Sequence, residues 1–365
     1  MNDNFNFGSS NHGNILNDIK QIKFRQDFKR EFKDLKDFYL TDEQKANLKH
    51  ATGPKKHLSQ FWYLIKNAYF HLTPFRRFFV LLGTILLLIG KTVSVEDNIK
   101  FTANDSFFGG VLILFVLILE LKDKLIAKSE LEEGQKVQRA LMPPINPEIE
   151  GWDVMLFTRS ANDVSGDLVD FLQIDDDRIA ITIADVAGKG LSAALLTAKL
   201  QATIRAYAEE STKISELAKR TNHVFHRDSL PNLFASMIYM ELSSSNNQIK
   251  YVNAGHFPPI VINKNGISEL PKGEAALGLM ENSNYSDVKI ELEKDDLFVA
   301  YSDGVTESIN EYNLFYGKER FLNFLKSNHQ LKVIEIGNKL LDEIDLFRGE
   351  AKANDDLSFV ILKRK

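Results

Sequence analysis

The rhythm of apolar and polar positions changes three times along the chain. Phe24, Phe28, Phe32, Leu35 and Tyr39 step by four, four, three and four, which lines one face of a helix. Two continuous apolar runs follow, Phe78 to Gly90 and Phe107 to Leu119, each 13 residues long and without a polar face. That is short of the ~18 residues of a membrane span. Thr92, Val93 and Val95 extend the first run, and Phe101, Thr102 and Ala103 precede the second. Arg76 and Arg77 lie before the pair and Lys122, Lys124 and Lys128 after it, which predicts a transmembrane helical hairpin with both ends cytoplasmic. The competing arrangement is a buried helical hairpin. From Leu119 a helical pattern runs on to Met142 and stops at Pro143 and Pro144. Its Leu131, Val137 and Leu141 suit either pairing of two protomers into a homodimer or packing on their own domain.

Beyond residue 145 the pattern is different. Strand-like runs cover 153–158, 178–186, 233–242, 249–254, 258–263, 296–303 and 357–363, and helix-like runs cover 191–210, 213–227, 317–328 and 331–344. Tight turns join many strands and the helices come in pairs. The expected class is therefore α+β, with antiparallel sheets covered by helices rather than a regular βαβ alternation. Four regions result. They are a polar, basic helical segment at 1–74, the hairpin at 75–121, a linker helix at 122–144 and a catalytic domain at 145–365.

Charge sharpens this division. Residues 1–74 hold 12 Lys/Arg against 8 Asp/Glu, whereas 143–365 hold 24 against 34. An acidic domain is a poor nucleic-acid binder and a good host for divalent cations. The chain has no cysteine, so disulfides, thiol catalysis and cysteine-based zinc sites are excluded.

The acidic residues are oddly placed. The stretch NDVSGDLVDF, residues 162–171, sets Asp163, Asp167 and Asp170 among apolar strand residues. Asp167 opens an early strand, Asp185 ends the run RIAITIAD, Asp303 ends LFVAYSD, and Asp355 and Asp356 precede the last strand. Strand ends of one edge can meet in space. Carboxylates held ~4 Å apart repel unless cations lie between them. All-oxygen ligation selects Mg²⁺, Mn²⁺ or Ca²⁺, and a pair of such ions activates water for attack on phosphorus.

Taken in order, five blocks carry a resemblance. They are Ser165-Gly166-Asp167 with Asp170-Phe171; Asp185-Val186-Ala187-Gly188-Lys189-Gly190 with Ala193-Ala194-Leu195; Asn253-Ala254-Gly255-His256 with Pro258-Pro259; Tyr301-Ser302-Asp303-Gly304-Val305-Thr306-Glu307; and Asn354-Asp355-Asp356-Leu357-Ser358. The series resembles the SpoIIE-like branch of the metal-dependent serine/threonine phosphatases, the protein phosphatase 2C superfamily, from roughly residue 130 onward. The segment 132–144 looks like that family's lead-in helix. Ser160, Val169 and Phe257 depart from the family's usual residues, but none is a proposed ligand.

The resemblance implies a β-sandwich flanked by helix pairs, with a centre of two Mn²⁺ or Mg²⁺ ions at one edge. Asp185 is expected to bridge both metals and the Val186 carbonyl to add a ligand. Asp303 and Asp355 are expected to bind one metal, and Asp167 to act mainly through water. Asp356 stands where related enzymes often have Asn and is counted with the metal centre as a support behind the ligands.

Lys189, between Gly188 and Gly190, is the candidate phosphate contact, against the simpler reading of a turn that starts a helix. His256 is expected to shape its loop rather than to act as a general acid. Asp175, Asp176 and Asp177 read as a hairpin turn rather than a calcium loop. The activity implied is hydrolysis of phosphoserine or phosphothreonine on a protein in bacterial signalling. The substrate implied is an anti-sigma-factor antagonist controlled by partner switching. The alternatives are a catalytically silent binding module of the same fold and a metal hydrolase of small-molecule phosphates. The expected location is the inner (cytoplasmic) membrane, with the catalytic domain in the cytoplasm.

Overall fold

The computed structural model describes residues 24–50, 53–89, 92–94, 102–229, 233–243 and 246–365. The first 23 residues of the expected N-terminal helical region and most of the link between the two apolar runs lie outside them. Two compact units emerge, 1–125 and 126–365.

In the first unit the predicted amphipathic helix forms as α1 (Phe24–Tyr39). It is followed by α2 (Asp42–His50), α3 (Pro54–His71) and α4 (Pro74–Ile89). Asn67 of α3 donates to the Tyr39 carbonyl at 2.7 Å and so ties α3 to the end of α1. A short antiparallel pair, β1 (Thr92–Ser94) and β2 (Thr102–Asn104), then leads into the 37-residue α5 (Asp105–Leu141). The pair was not visible in the hydrophobic pattern.

The two apolar runs do form a helical hairpin. A Cβ built on Gly83 would lie 2.9 Å from the Gly109 carbonyl, and one on Gly109 would lie 2.6 Å from that of Gly83, so α4 and α5 touch backbone to backbone. Arg76 closes the open end on Glu120 and Asp123 at 2.6 and 2.5 Å. The expectation that this hairpin spans a membrane is corrected. No helix among the described residues is long and apolar enough to cross one. The 16 residues of α4 reach only about 24 Å at the α-helical rise, against a hydrocarbon core of about 30 Å. In α5 the apolar stretch is bounded by Asp105 and Glu120.

The second unit is a four-layer α/β/β/α sandwich. One antiparallel sheet has the order β10-β7-β6-β5-β4, from β4 (Asp167–Gln173), β5 (Arg178–Val186), β6 (Ala235–Ser243), β7 (Gln248–Ala254) and β10 (Val288–Glu291). The other has the order β3-β12-β11-β8-β9, from β3 (Trp152–Arg159), β8 (Ile260–Asn263), β9 (Gly266–Glu269), β11 (Leu297–Tyr301) and β12 (Leu357–Arg364). This is the expected antiparallel sandwich flanked by helix pairs.

The strands read as continuous apolar runs because both faces are buried. In β5, Ile179, Ile181 and Ile183 face the other sheet, where they meet Leu156, Phe298 and Val360. Ala180 and Ala184 face the helices α6 (Leu191–Glu210) and α7 (Ile214–Asp228). The second sheet is covered by α9 (Lys318–Asn328) and α10 (Val333–Arg348) through Phe321, Leu325, Ile336 and Leu340. Here Gly337 lets α10 pack closely on the sheet, with the Met155 sulfur 2.1 Å from where a Cβ would lie.

Candidate active site

The carboxylates meet where the ends of the two sheets adjoin. Asp167 and Asp185 are register partners across β4 and β5. The turn between these strands is the expected hairpin: Asp175 Oδ1 accepts from the N–H groups of Asp177 and Arg178. Asp303 does not end a strand as expected. β11 stops at Tyr301, and after Ser302, whose hydroxyl bonds to the Asp356–Ser358 backbone rather than capping, Asp303 opens the single turn α8 (Asp303–Thr306). Asp355 and Asp356 sit in the turn before β12. Gly304 lets that turn pass close by, because a Cβ there would lie 1.9 Å from the Asp356 carbonyl oxygen.

Three of the expected ligands are shifted by burial and by the charges around them. Burial, then the charges of Asp303, Asp355 and Asp356, push the Asp185 carboxyl up to about 7. Burial and Asp355 push Asp303 to about 6. Asp167 is raised well above the usual carboxylate range by burial and then by Asp185, against the nearby Ser358 and Ser302 hydroxyls. One oxygen of Asp167, Oδ2, is buried without a hydrogen-bond partner.

No three His, Asp or Glu side chains among the described residues are already closed around one point. The residues nonetheless fit a pair of hard divalent cations. Their donors are carboxylates and a peptide carbonyl, without sulfur or imidazole. The charge repulsion asks for a cation, and the orphaned Asp167 oxygen asks for a partner. The Val186 carbonyl borders the same space, 3.2 Å from where a Cβ on Gly166 would lie.

Asp356 is placed differently from the others. Its Oδ1 accepts from Ala161 N at 2.7 Å, and its Oδ2 accepts from Ser165 Oγ at 2.9 Å and Gly166 N at 2.7 Å. Both oxygens are thus committed to the loop that delivers Asp167, which is the geometry of a support behind the ligands. Lys189 Nζ donates to the Asn354 carbonyl at 2.7 Å and pairs with Asp355 Oδ2 at 3.1 Å. Gly188 and Gly190 on either side have φ of 113° and 73°, which favours glycine at both.

The third carboxylate of the stretch 162–171 has a simpler answer. Asp170 is buried, and Arg205 of α6 grips it with Nε and Nη2 at 2.9 and 2.6 Å while Gln201 donates at 2.9 Å. Its counter-charge is an arginine and not a metal. Asp163 is exposed.

Several participants escaped sequence reasoning. Thr197 donates to the Gly166 carbonyl at 2.7 Å, Ser302 Oγ accepts from Ser358 N at 3.0 Å, and Gln138 bonds to Ser165. Arg205 follows Gln201 by four residues, so helical periodicity places both on one face and could have signalled a polar pair there. His256 is buried as a loop residue, with Nδ1 2.7 Å from Ser236 Oγ and its backbone N donating to Asn253 Oδ1 at 2.8 Å.

Residues 175–365 match the sequence model of the family described as Stage II sporulation protein E (SpoIIE). The phosphoserine phosphatase RsbU of Bacillus subtilis is 29% identical over 240 residues, covering 65% of this chain and 71% of that protein. Protein IcfG of Synechocystis is 25% identical over 265 residues, covering 65% of this chain. The chain spans only 42% of the length of IcfG. Among solved structures, the SiaA-PP2C domain of Pseudomonas aeruginosa superposes with a TM-score of 0.58 at 20% identity, over 67% of this chain and 98% of that domain. That likeness is one of fold.

Proposed function

Because the chain belongs to the SpoIIE family of PP2C-like protein phosphatases, we propose that it hydrolyses phosphoserine or phosphothreonine on a regulatory protein. The observation that carries this reading is the convergence of Asp167, Asp185, Asp303 and Asp355, each buried or half-buried, from four separate elements. Two Mn²⁺ or Mg²⁺ ions held there would neutralise the phosphate oxygens and activate the attacking water. The chain's own residues do the rest. Asp185 and Asp303 hold charge that Lys189 offsets only in small part, which leaves room for a cation. Asp356, Ser165 and Thr197 fix the loop of Asp167. Lys189, more than half exposed at the rim, can turn from Asp355 to a phosphate oxygen. No covalent phospho-enzyme is required.

The substrate we propose is a partner-switching phosphoprotein of the anti-sigma-factor-antagonist kind. Release of phosphate from phosphoserine peptides, phosphothreonine peptides and nucleotides, with Mn²⁺ and after chelation, tests the reading. Mn²⁺-dependent turnover of the peptides supports it. Turnover of nucleotides alone favours a small-molecule hydrolase. No turnover, with Mn²⁺ bound, favours a silent binding module.

We also propose that the chain works as a homodimer at the inner face of the cytoplasmic membrane, with the catalytic domain in the cytoplasm. Val137 and Leu141 of α5 are exposed one turn apart, which supports pairing over packing on their own domain. Phe78, Leu88, Phe107 and Leu117 are exposed on α4 and α5, which supports attachment to a lipid surface. Light scattering of Val137→Lys and fractionation after a high-salt wash test the two proposals.

A further inference from the structure

The loop before Asp167 is held by side chains from three directions. Asp356 takes the Gly166 N–H, Thr197 takes the Gly166 carbonyl, and Ser165 Oγ takes the N–H of Asp167 at 3.1 Å. The remaining two backbone groups belong to Ser165, which is 1% exposed. Both go to one residue. Gln138 Oε1 accepts from Ser165 N at 3.0 Å, and Gln138 Nε2 donates to Ser165 O at 2.9 Å. We propose that Gln138 is a positioning residue for Asp167, and that its two bonds to Ser165 make the last turns of α5 a determinant of divalent-cation affinity.

The chemistry of the pair supports the assignment. A primary amide is the neutral side-chain group that offers a donor and an acceptor side by side, so it can satisfy the N–H and C=O of one residue as a neighbouring strand would. Without it two buried backbone groups lose their partners, which is costly where water cannot replace them. Gly134, one turn earlier on the same helix face, brings the backbone close to Val164, with 4.0 Å from its Cβ position to Val164 Cγ1. The helix thus lies against the loop at two successive turns. Asp356 and Thr197 secure Gly166, whereas the Ser165 peptide depends on Gln138. Asp167 follows two residues later, and its unpartnered Oδ2 has no hydrogen bond of its own to fix it. Residues that orient metal ligands from behind typically change metal affinity 10–100-fold when removed.

This inference rests on the metal-dependent reading above. The test is calorimetric titration of Mn²⁺ into the full-length chain at pH 7.5 and 6.0, for wild type, Gln138→Ala and Gln138→Glu. Gln138→Ala is expected to weaken binding about tenfold, by the same factor at both pH values. Gln138→Glu is expected to be weaker still at pH 7.5, where a carboxylate oxygen would face the Ser165 carbonyl. Its deficit relative to wild type should shrink at pH 6.0, because the introduced carboxyl, raised by burial beside an acidic cluster, regains a proton to donate.

A purely structural helix contact would give pH-independent deficits in both variants. That result would overturn the proposal, as would wild-type affinity in Gln138→Ala. Circular dichroism checks folding. If Gln138→Ala does not fold, the pH profile of Gln138→Glu decides by itself. A wild type that binds no Mn²⁺ overturns the functional reading as well. A wild type that binds, with variants that match it, overturns this inference alone.

Discussion

Asp167 and Asp185 face each other across a single rung of the β4–β5 ladder, two carboxylates as register partners on neighbouring strands. Like charges so placed destabilise a sheet, and both groups are pushed above the usual carboxylate range, chiefly by burial. Asp185→Asn should therefore abolish phosphatase activity and yet stabilise the metal-free protein. A gain of about 1–2 kcal/mol corresponds to a melting temperature higher by roughly 2–8 °C. Differential scanning calorimetry in chelator checks this. A metal-free variant that melts below wild type would contradict the repulsion. Asp176→Ala, at an exposed turn, should change neither property.

Arg205 and Asp170 make a contrasting pair. Asp170 is buried, and removing its partner leaves a carboxylate in the interior. Arg205→Ala should cost about 2–4 kcal/mol in stability, less than a fully buried pair because Arg205 itself is partly exposed. Mn²⁺ affinity of the folded fraction should be unchanged. Urea unfolding and metal titration on one sample separate the two effects, and lost metal affinity without lost stability would reassign Asp170 to the metal centre.

The turn around Gly304 has no spare room. Gly304→Ala forces a methyl group into the Asp356 carbonyl and so pushes apart the turns that carry Asp303 and Asp355. An expected loss of about 2–4 kcal/mol should come with at least a tenfold fall in kcat. Wild-type melting and turnover in this variant would show that the two turns move independently.

His256 predicts a pH dependence. Burial depresses its imidazole from 6.5 to about 4, so the unfolded chain binds the proton more readily. Stability is then complete above pH 6.5 and is lost as pH falls toward 4, by up to about 3 kcal/mol. His256→Asn should flatten this part of the profile. A slope between pH 6.5 and 4.5 that is the same in both proteins would assign the acid sensitivity elsewhere.

The sandwich was legible where burial is two-sided. β5 and β6 sit between a facing sheet and a helix layer, so their sequences are nearly unbroken apolar runs. β9 and β10 are edge strands of four residues, and Val288, Lys289, Ile290 and Glu291 alternate too briefly to stand out. The apolar runs of α4 and α5 read as membrane spans because flanking residues such as Thr92, Val93, Thr102 and Ala103 lengthened them, whereas these flanks form β1 and β2 and α4 keeps only the 16 residues Pro74–Ile89. Within the site, Asp185 was visible as an acid at a strand end, and Asp303 as an acid just past one, although it opens α8 instead. Of the supports, Asp356 was read from the sequence and the others were not. Gln138 and Thr197 bond mainly to backbone, and a backbone partner leaves no mark on residue identity.

β12 fills the gap between β3 and β11, and Asp356 at its head grips a loop 190 residues earlier. Closing so distant a contact is slow, since the loop entropy must be met before the contact rewards it. During synthesis, a chain that has not yet extruded residues 355–364 has one sheet with a missing central strand and an Asp167 loop without its carboxylate staple. Translation arrested before residues 355–364 therefore leaves the carboxylate cluster without Asp355 and the Asp167 loop without its staple.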